Sequence, residues 1–137
     1  MITKAKGLRE AGIQTFYLSY PMTDDRDGAI AIKMQDLENW LEGAGFTVLN
    51  PENLFSQTDH ILHLQKTEPR YRDYMAFDLM SLCYKADAII LADEWKQSRG
   101  CRCEAFTAYT CDIMMLDERL TRLAPSVVMY ECFQPAK

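Results

Sequence analysis

Ala88-Ile89-Ile90-Leu91 leads, after a short interval, into Ser98-Arg99-Gly100-Cys101-Arg102-Cys103-Glu104, and the two stretches together set the architecture. Four consecutive apolar residues without polar alternation describe a strand buried on both faces, as in a parallel sheet covered by helices. The polar interval reads as a loop that opens a helix over Gly100 to Cys111, with Ser98 as its cap. Such a helix presents unpaired N–H groups at the carboxyl edge of the sheet, where open α/β folds bind ligands and helix termini hold anions. Glu104, on the opening turns, is the first candidate for chemistry on a small anionic molecule.

The same alternation extends in both directions. Gln14 to Ser19 (QTFYLS) predicts a first strand. Asp27 to Ala44 predicts a helix, because Ile30, Met34, Leu37, Leu41 and Ala44 recur every three or four residues; Gly43 and Gly45 punctuate its end. Thr47 to Leu49 is a short second strand closed by Asn50-Pro51. Glu52 to Arg70 has weak periodicity and reads as a long functional loop with a helical turn around His60 to Gln65. Tyr71 to Lys85 reads as a helix with Tyr74, Phe77, Met80 or Ser81, and Tyr84 on its apolar side. Ile113 to Leu116 then predicts a fourth strand, Asp117 to Leu123 a short helix and Val127 to Tyr130 a fifth strand. Alternation of this kind means a mostly parallel sheet with helices on both faces. One domain spans residues 1–137, with 1–12 a flexible or peripheral N-terminus.

Composition narrows the function classes. A chain of 137 residues suffices for one sizeable core. Its net charge of −5 and pI near 5.0 argue against gripping a nucleic-acid polymer by its backbone, though one nucleotide still fits a locally positive pocket. No window approaches the length of apolar sequence needed to span a membrane, and Met1 to Gln14 lacks the apolar core of a signal peptide. The five cysteines form an odd set without framework spacing, which suggests reduced thiols and a cytoplasmic protein.

Tyr17-Leu18-Ser19-Tyr20-Pro21-Met22-Thr23 resembles the "YISGPMT" opening of the nucleoside 2-deoxyribosyltransferase-like superfamily, in particular its small phage and bacterial branch. Asn50-Pro51, Tyr74 with Asp78, Ala86-Asp87, and Trp95 followed by Ser98-x-Gly100-x-x-x-Glu104 and Ala108 fit in the same order. The resemblance covers about Thr15 to Met115. It implies a flavodoxin-like, Rossmann-like three-layer sandwich with a five-stranded parallel sheet of order 2-1-3-4-5. It also implies cleavage of N-glycosidic bonds, either by deoxyribosyl transfer or by hydrolysis of 2'-deoxynucleoside 5'-monophosphates.

Cleaving such a bond passes through an oxocarbenium-like sugar, which calls for a carboxylate beneath the anomeric carbon and an acid at the leaving base. By resemblance Glu104 is the nucleophile and Asp78 the group that protonates or orients the base. Ser98 stands where the transferases hold an acidic residue and the monophosphate hydrolases a serine, so with Arg99, Gly100 and the helix N-terminus it implies a 5'-phosphate. Tyr17, Ser19, Tyr20, Pro21, Met22, Asn50, Tyr74 and Trp95 complete the expected substrate pocket. At Tyr20 the chain departs from the family, which carries glycine there; a tyrosine narrows the pocket, stacks on the base, or marks a changed site.

Each residue also has a purely structural reading: a dipole-favoured helix glutamate for Glu104, a plain cap for Ser98, core packing for Tyr17 and Trp95, a turn for Asn50. Asp87 reads as a structural cap at the third strand. Cys101-x-Cys103 lacks a second pair at zinc spacing and its side chains fall on different helix faces; His60-x-x-His63 has no carboxylate or cysteine partner. The expectation is therefore an N-glycosidase acting on a (deoxy)nucleoside 5'-monophosphate, without metal or organic cofactor, as a homodimer or higher homo-oligomer. The alternatives are a nucleoside deoxyribosyltransferase, a non-catalytic nucleotide-binding or sensing protein, and cleavage of a nicotinamide dinucleotide.

Overall fold

The computed structural model describes residues 1–22, 25–54 and 70–135, the side chain of Arg26 excepted. Helices α1 (Ile2–Glu10), α2 (Ala29–Gly43), α3 (Tyr71–Lys85), α4 (Arg99–Thr110) and α5 (Pro125–Cys132) surround strands β1 (Thr15–Ser19), β2 (Thr47–Leu49), β3 (Ala88–Leu91) and β4 (Met114–Asp117). The strands form one parallel sheet in the order β2-β1-β3-β4. β3 is the apolar run on which the fold was read, and every residue of it is buried. Ser19 pairs with Leu91 and Leu91 with Asp117, so the three longer strands end level at one carboxyl edge.

Strand periodicity divides the core in two. Phe16, Leu18, Ala88, Ile90 and Leu116 face Ala5 of α1 and Met34, Leu37 and Leu41 of α2. Tyr17, Ile89, Leu91 and Met115 face Leu82 of α3, Ala105 and Ala108 of α4, and Val128 of α5. Side chains alternating across each strand thus give three layers with helices on both faces. α2 stops where Gly45 adopts a φ of +95°; Phe46 N–H then bonds Leu41 O at 3.1 Å and Gly45 N–H bonds Glu42 O at 3.0 Å. This is the closing motif that a glycine just past a helix end permits.

The fifth strand expected at Val127–Tyr130 is instead the middle of α5, so the sheet has four strands among the described residues. Pro125 stands at the first helical position, where its fixed φ and missing N–H cost nothing, and Val128 alone of the run turns inward. Asp117–Leu123 is likewise not a helix: Leu120 has a φ of 63°, and Arg122 bridges back antiparallel to Leu116. Within residues 1–12, expected as a flexible or peripheral N-terminus, α1 lies at the periphery with only Ala5 buried; Lys4 Nζ donates to Thr121 Oγ1 at 2.7 Å, and Arg9 lies over the Phe46 ring at 4.9 Å. The inward side of α3 is Asp78, Ser81 and Leu82: of the alternatives Met80 or Ser81 it is Ser81 that turns in, while Tyr84, expected on the apolar side, is exposed.

Asp87, expected to cap the third strand, caps the neighbouring one instead: its Oδ2 accepts from the N–H groups of Gln14 and Thr15 at 2.9 Å, at the start of β1. The five cysteines are all free. No described helix is long and apolar enough to cross a membrane. The helical turn at His60–Gln65 and the pair His60 and His63 lie outside the described residues.

Candidate functional site

Tyr17 and Ser19 are two apart on β1 and therefore share a face, the one turned toward α4. Glu104, on the second turn of α4, reaches back over the end of this strand. Its Oε2 accepts from the Tyr17 hydroxyl and its Oε1 from Ser19 Oγ at 2.7 Å. All three side chains are buried. Burial pushes the Glu104 carboxyl up to about 7, while the two hydroxyl donors pull it down. Burial, together with the Glu104 charge, holds the Tyr17 phenol well above its usual value, so it stays a donor.

Asp78, on the inward side of α3, borders the same cavity as Glu104. It is only 5% exposed, and its Oδ1 has no hydrogen-bond partner among the described residues. Burial first, and the neighbouring Glu104 charge second, push its carboxyl up to about 8. The hydroxyl donors favour the charged form of Glu104 and no such donor favours that of Asp78, so the surroundings bias a shared proton toward Asp78. A buried, unsatisfied carboxyl weakens the fold, and at such positions a role beyond packing is the expected reason for its presence. Two acids driven to different roles by their surroundings form the arrangement that acid–base chemistry needs.

The cavity between them measures about 280 Å³ and is bounded by Tyr20, Met22, Pro51, Tyr71, Tyr74, Met75, Ser98, Gly100 and Cys101 as well as the two acids. Ser98 Oγ accepts from Cys101 N–H at 3.2 Å, capping α4 as expected, and its hydroxyl also lies within hydrogen-bond reach of the Cys101 thiol. Gly100 has a spatial reason to lack a side chain: a Cβ there would stand 2.9 Å from the Tyr71 hydroxyl. Cys101 is pushed up to about 12, by burial above all, and remains a thiol. A larger hollow of about 760 Å³ lies elsewhere, but its ionisable groups, Asp87, Tyr109, Asp112 and Arg122, are all exposed. The smaller cavity is the candidate on chemistry.

Of the residues expected around a substrate, Tyr20, Met22, Tyr74, Ser98 and Gly100 line this cavity with Glu104 and Asp78. Tyr17 and Ser19 do not; they stand behind Glu104 and orient it. Asn50 is committed elsewhere: Oδ1 accepts from the Tyr20 hydroxyl at 2.7 Å and Nδ2 donates to Glu38 Oε1 at 2.8 Å. Trp95 packs in the apolar cluster beneath α4. Pro21 is buried outside the cavity wall, and exposed Arg99 lies over the Tyr71 ring at 5.8 Å, bordering a neighbouring groove. Tyr71, Met75, Cys101 and Pro51 were missed in the sequence. The helical spacing Tyr71, Tyr74, Met75, Asp78 was the signal that marks one face of α3.

No group of three or more His, Cys, Asp or Glu side chains among the described residues is arranged to hold a metal ion. No curated protein and no solved structure matches the chain. The family model described as Domain of unknown function (DUF4406) matches residues 14–117, the span from the edge of β1 to the end of β4 that holds both buried acids, and the chain belongs to that family.

Proposed function

We propose that the protein is an N-glycosidase that hydrolyses the base–sugar bond of a (deoxy)nucleoside 5'-monophosphate. The observation that carries this reading is the buried pair Glu104 and Asp78 beside one cavity, the first oriented by two hydroxyl donors and the second with Oδ1 unpartnered among the described residues. In the proposed reaction the ionised Glu104 attacks C1' of the sugar. The bond to the base breaks, its electron pair leaves with the base, and Asp78 supplies the proton. Water then gives one proton to the Asp78 carboxylate as its oxygen bonds C1' of the glycosyl-enzyme. The bond from C1' to Glu104 breaks with its electron pair returning to the glutamate, which delivers the sugar phosphate and restores both acids.

Phosphate binding falls to the N-terminus of α4, where Ser98 donates and the backbone N–H groups face the anion. Tyr17 and Ser19 hold Glu104 in attack orientation and temper its basicity. Carboxyls pushed up to about 7 and about 8 favour catalysis over mere sensing, because a binding pocket gains nothing from two destabilising acids. The resemblance of the β1 and α4 motifs to the nucleoside 2-deoxyribosyltransferase-like superfamily supports the same chemistry. A homo-oligomer belongs to this proposal; exposed Tyr84, Tyr130 and Phe133, on or beside the helices of one layer, offer apolar surface to a second copy.

The test is chromatographic detection of free base after incubation with a panel of nucleosides and their 5'-monophosphates. Release from monophosphates in preference to nucleosides, abolished by Glu104→Gln, is the expected outcome. Base exchange between two nucleobases in place of hydrolysis would identify a transferase, and no release from any member would end the glycosidase reading.

A further inference from the structure

Tyr20 lines the cavity, yet its hydroxyl is engaged in a chain of polar groups on the far side of the ring. It donates to Asn50 Oδ1 at 2.7 Å, with Glu52 Oε2 at 3.4 Å. The same Asn50 oxygen takes the Glu52 N–H at 3.1 Å, and Asn50 Nδ2 donates to Glu38 Oε1 on α2 at 2.8 Å. Tyr20, Asn50 and Glu38 are all buried, and the ring packs with Met34, Leu37 and the rest of the first core cluster. Swinging the ring aside would strand a buried phenol, which is costly to leave unpaired, and would take from Asn50 Oδ1 one of its two donors. Tyr20 is therefore a fixed part of the wall, unlike exposed Met22, whose thioether chain adapts.

The geometry points to Tyr20 as the residue that limits the leaving base to a single ring, making pyrimidine nucleoside 5'-monophosphates the substrate class. This rests on the glycosidase reading of the same site. With phosphate at Ser98 and Gly100 and C1' over Glu104, the base falls between Asp78 and the wall formed by Tyr20, Met22 and Pro51. The whole cavity of about 280 Å³ is at the small end for ligand pockets, which run from about 300 Å³ upward. Phosphate and sugar are required in every substrate, so the base is the part that must be small. A glycine at this position, as the resembling family carries, would remove the wall.

The experiment is calorimetric titration of the full chain, and of Tyr20→Ala and Tyr20→Phe, with dCMP, dTMP, dAMP and dGMP, alongside base release on the same panel. The parent is expected to bind the pyrimidine nucleotides at least tenfold more tightly than the purine ones. Tyr20→Ala should shrink that ratio about tenfold, chiefly by improving purine binding. Tyr20→Phe, which keeps the ring volume, should retain most of the selectivity and serves if Tyr20→Ala does not fold. Equal affinity of the parent for both classes overturns the inference whatever the variants do, as does an unchanged ratio in folded Tyr20→Ala. Size-selective binding without release of any base would sink the glycosidase reading and leave the Tyr20 wall standing. Release of both kinds of base at equal rates would do the reverse.

Discussion

At the scale of single residues, the site depends on what surrounds Glu104. The residue type was evident from its place after Ser98 and Gly100, but its protonation was not, because that follows from burial and from the Tyr17 and Ser19 hydroxyls. Glu104→Gln keeps the shape while removing the nucleophile, and its amide donates where one carboxylate oxygen accepted, so one of the two hydroxyls must turn round to accept. Base release should fall by about three orders of magnitude or more with the fold retained by circular dichroism. Tyr17→Phe removes one donor that lowers the Glu104 pKa, so that pKa rises. The profile of kcat/KM against pH is expected to climb as Glu104 ionises near pH 7 and to fall as Asp78 loses its proton near pH 8. In Tyr17→Phe the acid limb should move to higher pH, with about a tenfold loss at pH 6.5 for a shift of one unit. An unmoved acid limb would show that the tyrosine does not tune the carboxylate.

At the scale of elements, α4 combines a structural and a ligand role at one cap. Ser98→Ala should cost about 1 kcal/mol, or a few degrees in Tm, because the Cys101 N–H loses its acceptor. Ser98→Asp keeps the cap but brings a negative charge to the proposed phosphate site. Thermal stability should survive while turnover of monophosphates falls at least tenfold relative to nucleosides. Equal loss with both substrates would assign Ser98 to the helix alone. The contrast between β3 and α5 shows which elements were legible. Ala88–Leu91 is an apolar run with nothing to oppose a buried strand, whereas Val127–Tyr130 carries the same kind of run two residues after a proline. The local start signal at Pro125 and the outward turn of all but Val128 settled a helix there. Apolar content alone does not separate a short strand from a buried helical turn.

At the scale of the molecule, the two acids link the site to folding stability. Both carboxyls are raised in the folded protein, so over the interval between their ordinary and folded values the native state holds protons that the unfolded chain has released. Stability must then fall as pH rises. For Asp78 the contribution is complete below its ordinary value of 3.8, erodes above it and is gone once pH passes about 8. Asp78→Asn removes that slope. Its melting temperature should exceed the parent's by a few degrees at pH 9 and approach it at pH 4, as read by thermal circular dichroism. A parent whose stability is flat over this range would place Asp78 in a wetter setting than the cavity provides.

The sequence by itself determined the layered α/β plan, which follows from local signals: apolar runs, helical spacing and a cap. The order of the first four strands and the prominence of Asp78 came from the resemblance of the motifs to a known superfamily, and Glu104 and Ser98 stood out on both grounds. Only the tertiary structure decided that Tyr17 and Ser19 stand behind Glu104, that Asn50 ties Tyr20 to Glu38, and that α3 turns Asp78 inward. Those relations join residues remote in the chain through burial and hydrogen bonding, and a linear pattern of polarity carries no record of which distant partner will satisfy a buried group.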